Sequence, residues 1–169
     1  MMFFQILNLP PFPEKYIKEA YTAKYTQMYS PDQLRAFSSF NNTKFVKLMQ
    51  DKFGVRGGLY MKNTPMSYYD WHTDMGRQCS LNWLLQNNYG KAFYRENINP
   101  SAGSKSITYK LTKVEYTLYK PTLLNVTKEH CVINDTTEDR IIFSMSIDAP
   151  FEEVLQYLST TVIDDYESC

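Results

Sequence analysis

The order of hydrophobic patterns in this chain of 169 residues predicts a mainly β fold, a sandwich or jelly roll, with helices on its flanks. Two observations carry that expectation. Before about residue 57 the apolar residues recur at helical spacing, and after it they fall in short aromatic and β-branched runs separated by polar turns. A helical pattern then returns for the last segment. The length suits one domain, residues 1–169, with a sizeable core and no room for a second folded unit. Its expected parts are a helical segment of about 13–54, a β core of about 57–147 and a C-terminal helix of about 149–159. The N-terminal helices are expected to pack on one sheet, because an apolar stripe at this spacing usually faces a core.

Taken in order, Met1 to Leu7 read as a first strand that Pro10, Pro11 and Pro13 punctuate. Ile17, Ala20, Tyr21, Tyr25 and Met28 predict an amphipathic helix over 14–28. Ser30-Pro31-Asp32-Gln33 matches a capping box with proline at the first helical position, which predicts a short helix to about Phe37. Phe45, Val46, Met49 and Phe53 predict a third helix ending near Gly54. The strands expected beyond it are 57–62, 66–73, 79–86, 91–96, 107–118, 121–126, 130–133 and 139–147. Asn97 to Lys105, with Pro100 and Gly103, reads as a loop, either a mobile cover or an ordinary hairpin connection. Phe151, Val154, Leu155 and Leu158 give the closing helix one apolar face.

The composition narrows the classes of function. Eighteen Lys/Arg balance eighteen Asp/Glu, so tight electrostatic binding of a nucleic-acid duplex has no support. Basic residues dominate the first third of the chain and acidic ones its last fifth, a polarity that solvated faces explain. The apolar runs are far shorter than a membrane span, and Met1-Met2-Phe3-Phe4 lacks the charged flank of a signal peptide. Cys79, Cys131 and Cys169 form no C-x-x-C pair and are expected as free thiols in a reducing cytoplasm; no zinc-site spacing connects them.

The chemistry concentrates in Tyr69-Asp70-Trp71-His72-Thr73-Asp74, read with His130 and Arg140. His72 and Asp74 form H-x-D, and the chain's only other histidine, His130, follows, with Arg140 ten residues beyond. Two histidines and a carboxylate are the facial set that holds Fe(II) while leaving three positions open. An arginine beyond them suits a carboxylate, which its planar fork grips through two parallel hydrogen bonds. Its alternative role is a surface ion pair with Glu138 or Asp139. By strand alternation Asp70 and His72 share a face, while Tyr69 and Trp71 point away, and Arg140, Ile142 and Ser144 share the interior face.

H-x-D, a distant histidine and an arginine ten residues on resemble the signature of the 2-oxoglutarate- and Fe(II)-dependent dioxygenases. The resemblance runs from about Gly57 to Ile147. It includes Arg77 to Leu85 after H-x-D and Pro121 to Asn125 before His130. Tyr69, three residues before His72, is similar to the prolyl-hydroxylase-like branch. The resemblance implies a double-stranded β-helix (jelly-roll, cupin-like) core. His72, Asp74 and His130 would bind Fe(II), and Arg140 would hold 2-oxoglutarate with support from Tyr60, Asn82 and Ser144. Tyr69 would touch the substrate. Many members carry Ser or Thr where this chain has Ile142. The implied reaction uses O2 to convert 2-oxoglutarate to succinate and CO2 while a C–H bond is oxidised, and a peptidyl substrate is favoured only by the Tyr69 spacing. Two alternatives stay open: a cupin-like metalloenzyme that does not use 2-oxoglutarate, and a catalytically silent jelly-roll binding module.

Overall fold

A computed structural model describes residues 2–98 and 107–168. Within them eleven strands form two antiparallel sheets, and three helices lie against one of the two. The strands are β1 (Phe4–Ile6), β2 (Thr26–Gln27), β3 (Gln33–Phe37), β4 (Gly58–Asn63), β5 (Ser67–His72), β6 (Cys79–Gln86), β7 (Lys91–Asn97), β8 (Tyr109–Lys113), β9 (Pro121–Asn125), β10 (His130–Asn134) and β11 (Arg140–Ile147). The larger sheet has the order β1-β9-β6-β11-β4-β3-β2 and the smaller β5-β10-β7-β8, which is a jelly roll of the double-stranded β-helix type. The helices are α1 (Glu14–Thr22), α2 (Lys44–Phe53) and α3 (Phe151–Thr160). Among the described residues no helix is long and apolar enough to cross a membrane.

The expected third helix is α2. The Thr43 hydroxyl accepts from the Val46 amide at its start, and Gly54 ends it at φ 64°. The closing helix is α3, with Phe151, Val154 and Leu158 buried. The region between α1 and α2 corrects the sequence reading. Helix α1 stops at Thr22 rather than continuing to 28, and the stretch expected as a helix at 30–37 is the strand β3. Ser30-Pro31-Asp32-Gln33 satisfies a β-turn as well as a capping box. The Gln33 amide donates to Ser30 O at 3.1 Å with proline at the second position, closing the β2–β3 hairpin. The long register of β3 against β4 then outweighs local helical preference.

The strand expected at 107–118 is also shorter, ending at Lys113. At Thr117 to Lys120 the chain turns, with Tyr119 at φ 65°, to cross from the small sheet to β9 in the large one. Most of the loop expected at 97–105 lies outside the described residues, as does Cys169. Cys79 and Cys131 are buried free thiols, as expected.

Alternation along β11 and β6 divides the molecule. Ile141, Phe143 and Met145 face the helices together with Leu81 and Trp83, while Arg140, Ile142 and Ser144 face the small sheet together with Ser80 and Asn82. The helix side is an aromatic core. Phe40 touches Phe12, Tyr16, Phe143 and Tyr166 at centroid distances of 4.7, 5.1, 5.0 and 5.4 Å. Between the sheets the apolar cluster is far smaller, centred on Ala92, Tyr94, Val114, Leu124 and Val126, and it leaves a cavity of about 70 Å³.

Candidate metal centre

The cavity is lined by the side chains that β5, β10 and β11 turn inward. His72 and His130 are paired residues of adjacent strands, so their rings meet at a centroid distance of 4.3 Å. Asp74 lies two residues beyond β5, and its amide is fixed by a 3.0 Å bond to Val126 O. One donor atom from each of His72, Asp74 and His130 lies within 4.8 Å of the others, a spacing that one metal ion can bridge.

Hydrogen bonds behind the donors fix their direction. His72 Nδ1 lies 2.6 Å from Asp70 O, and His130 Nδ1 lies 2.8 Å from Lys128 O. A carbonyl can only accept, so Nδ1 is the donor in each ring, and in the neutral tautomer that this contact selects Nε2 presents a lone pair. Those Nε2 atoms stand 3.7 and 3.9 Å from the Asp74 carboxylate. Burial pushes the His130 pKa below the ordinary histidine value, which favours the neutral, ligating form. Asp74 is held in turn by Arg77, whose Nε and Nη2 both donate to Oδ2, at 2.9 and 2.7 Å, while its Nη1 donates to Ser146 Oγ at 2.8 Å.

A β-bulge corrects the alternation argument for β5. Val132 pairs with Tyr69 and His130 with His72, so Asp70 and Trp71 together oppose Cys131. The extra residue reverses the phase. Tyr69 and His72, three apart, therefore share the inward face, with their rings 4.0 Å apart. Asp70, expected beside His72, is instead exposed, and it accepts hydrogen bonds from the Tyr68 hydroxyl and the Trp71 amide. Trp71 lies against the guanidinium of Arg95, 4.7 Å from the ring centroid to Cζ.

Arg140 is 1% exposed, and its Nε and Nη2 have no hydrogen-bond partner among the described residues. The surface ion pair considered for it does not form: Asp139 pairs with Lys62 at 2.9 Å. The guanidinium carbon of Arg140 lies 5.2 Å from the ring centroid of Tyr116. Ser144 and Asn82 also line the cavity and belong to one hydrogen-bonded group. Ser80 Oγ donates to Asn82 Oδ1 at 2.7 Å and lies 2.9 Å from Ser144 Oγ. Tyr60 is the exception among the expected residues. By alternation on β4 it faces the helices, where its hydroxyl donates to Tyr16 O at 2.9 Å and lies 2.7 Å from Glu19 Oε2. Its neighbour Met61 lines the cavity in its place.

Arg77, Ser80, Tyr94 and Tyr116 are among the cavity residues that the sequence alone does not single out. Two of them had a local signal, since Arg77 stands three residues after Asp74 and Ser80 shares the inward phase of Asn82. Tyr94 and Tyr116 had none, because aromatic residues in strands usually mean packing. Outside the cavity an open groove of about 1020 Å³ shares Tyr69, His72, Asp74 and Arg77 with it, and its rim carries Tyr29, Phe37 and Met75, exposed by 73, 87 and 95%.

No protein-family model and no curated protein matches this chain. Among solved structures it is similar to SnoK, a non-heme alpha ketoglutarate dependent carbocyclase from nogalamycin biosynthesis. That match has a TM-score of 0.57 at 9% identity and covers 86% of this chain and 79% of the other. It is likewise similar to HygX from Streptomyces hygroscopicus with nickel, 2-oxoglutarate and hygromycin B bound. There the TM-score is 0.54 at 14% identity, with 85% and 82% covered. At such identities the likeness is one of architecture, and it agrees with the strand order in giving this chain the jelly-roll fold.

Proposed function

We propose that this chain is a 2-oxoglutarate- and Fe(II)-dependent oxygenase in which His72, Asp74 and His130 hold the metal and Arg140 receives the distal carboxylate of the co-substrate. The observation that carries the reading is the state of Arg140. A buried guanidinium with unpaired N–H groups costs folding free energy unless an anion completes it, and this one lies in the same cavity as the three converging donors. A cupin-like metal site that takes no dicarboxylate would leave that cost without a purpose.

The remaining residues have roles consistent with this one. The backbone acceptors of His72 and His130 keep both Nε2 lone pairs available, and Arg77 keeps the Asp74 carboxylate in one orientation. Ser144 and Asn82 offer polar contacts on the floor of the cavity. Tyr69, brought inward by the bulge, lines both the cavity and the outer groove, which supports it as a substrate contact. The groove is the approach for the prime substrate, and its exposed tyrosine, phenylalanine and methionine suit a partly apolar one. A peptidyl substrate, as in the prolyl-hydroxylase-like branch, is the form we favour from the Tyr69-x-x-His72 spacing. When bound, Fe(II), 2-oxoglutarate and O2 supply the oxidation of a C–H bond with release of succinate and CO2.

Anaerobic titration with Fe(II) and then 2-oxoglutarate tests the reading. The expected result is a weak visible charge-transfer band that saturates at one equivalent and is absent from His72→Ala, Asp74→Ala and His130→Ala. Admitting O2 should then yield iron-dependent succinate, followed by mass spectrometry. No band in the wild-type protein, with iron bound, would overturn the co-substrate assignment.

A further inference from the structure

The reach of Arg140 is set by a neighbour that has no side chain. Gly90 is buried in the turn between β6 and β7, and a Cβ built on it would lie 2.6 Å from Arg140 Cδ and 3.3 Å from both Cγ and Nε. The backbone of this turn cannot retreat easily. Asn87, at φ 65°, accepts the Tyr89 and Gly90 amides on its Oδ1 at 3.0 and 3.2 Å. Its Nδ2 donates to Asn134 Oδ1 at 3.0 Å and to Glu138 O at 3.2 Å, tying the turn to β10 and to the segment entering β11. Arginine has a long, freely rotating stem, so packing must decide where the fork ends. Gly90 supplies one wall and the Tyr116 ring another.

We infer that Gly90 is a positioning residue for co-substrate recognition: its missing Cβ makes the slot that the Arg140 stem occupies, and so fixes the guanidinium where a carboxylate can meet it. This inference rests on the reading of Arg140 as the carboxylate anchor. A methyl group in the slot must move the stem rather than the tied turn. The displaced fork then loses its bidentate geometry while the three metal donors, on β5, just beyond it and on β10, keep theirs.

Two measurements on Gly90→Ala test it. In calorimetric titrations the variant should bind 2-oxoglutarate about tenfold or more weakly than wild type, with Mn(II) affinity within about twofold. Unchanged 2-oxoglutarate affinity overturns the inference, and so does a parallel loss of both affinities, which marks general distortion. Thermal melting supplies the second readout. Gly90→Ala should lower the Tm of the wild-type background but not that of Arg140→Ala, where the stem that clashes is gone. An equal drop in both backgrounds would place the need for glycine in the backbone and overturn the inference. If Gly90→Ala does not fold, folding of the double variant supports the clash and failure of both overturns it. A wild-type protein that binds Mn(II) but no 2-oxoglutarate would instead sink the functional reading, a result distinguishable from any failure of the Gly90 variant.

Discussion

The two faces of the large sheet are made by the same strands and do opposite things. Toward the helices β11 and β6 present Phe143, Met145, Leu81 and Trp83, packed against Phe12, Phe40 and Tyr166. Toward the small sheet they present Arg140, Ser144, Ser80 and Asn82 around a cavity. A small jelly roll commonly fills the space between its sheets with apolar side chains. Here that space holds a buried cation and a polar floor, so the apolar burial that stabilises the chain is concentrated on the outer, helix-covered face. The helices are therefore a structural counterweight to the site. Such a division means stability and binding should respond separately to mutation.

The largest effect is expected at the centre of the helix side. Phe143→Ala removes a ring that touches Phe12, Phe40 and Trp83, and should cost about 3–5 kcal/mol of unfolding free energy, measured by urea denaturation. A cost below ~1 kcal/mol would mean that the core is not where the comparison puts it. Arg140→Met probes the other face and should act with the opposite sign on the apoprotein. Removing two buried donors that have no partner among the described residues should stabilise it by about 1–3 kcal/mol while weakening 2-oxoglutarate by one or more orders of magnitude and sparing iron affinity. Paired melts with and without 2-oxoglutarate check both halves, and a destabilised apoprotein would contradict the account of Arg140 as an incomplete site.

Tyr60→Phe and Ser144→Ala sharpen the contrast at smaller amplitude. The first removes a buried hydroxyl bonded to Tyr16 and Glu19, and should cost about 1 kcal/mol with 2-oxoglutarate affinity untouched. The second should change stability by less than ~1 kcal/mol but lower 2-oxoglutarate affinity a few-fold. If Tyr60→Phe were the variant that lost affinity, the assignment of faces on β4 would be wrong.

The legible parts of the fold were those where one signal dominated. Helix α2 is legible in its apolar spacing and the glycine near its end, and β11 in an apolar run with a single charge at its head. Ser30 to Gln33 is ambiguous in sequence because serine, proline and a polar fourth residue serve a turn and a helix start equally, and only the pairing partner decides. At the candidate site, His72, Asp74, His130 and Arg140 can be picked out because histidine is scarce and the arginine heads an apolar strand. The inward turn of Tyr69 could not be foreseen from a period of two, since it requires an inserted residue whose evidence is the register of the neighbouring strand. Tyr60 failed for the complementary reason: strand phase is visible in sequence, but which face is the cavity depends on where the helices pack. The close approach of Gly90 to Arg140 has no trace in the sequence, because the two stand fifty residues apart (140 − 90).

The bulge in β5 also bears on how the proposed centre would receive its ion. An extra residue interrupts the ladder, and the carbonyl of Asp70, within the bulge, is the one that receives His72 Nδ1. His130 and Asp74 are likewise restrained, by Lys128 O and by Arg77. Holding a rotamer-rich side chain still costs about 0.5–1.5 kcal/mol when it is ordered on binding. Here all three side chains are held by the fold itself, so an ion binding as proposed would meet donors whose conformational entropy has already been lost, and its binding constant would not be reduced by arranging them.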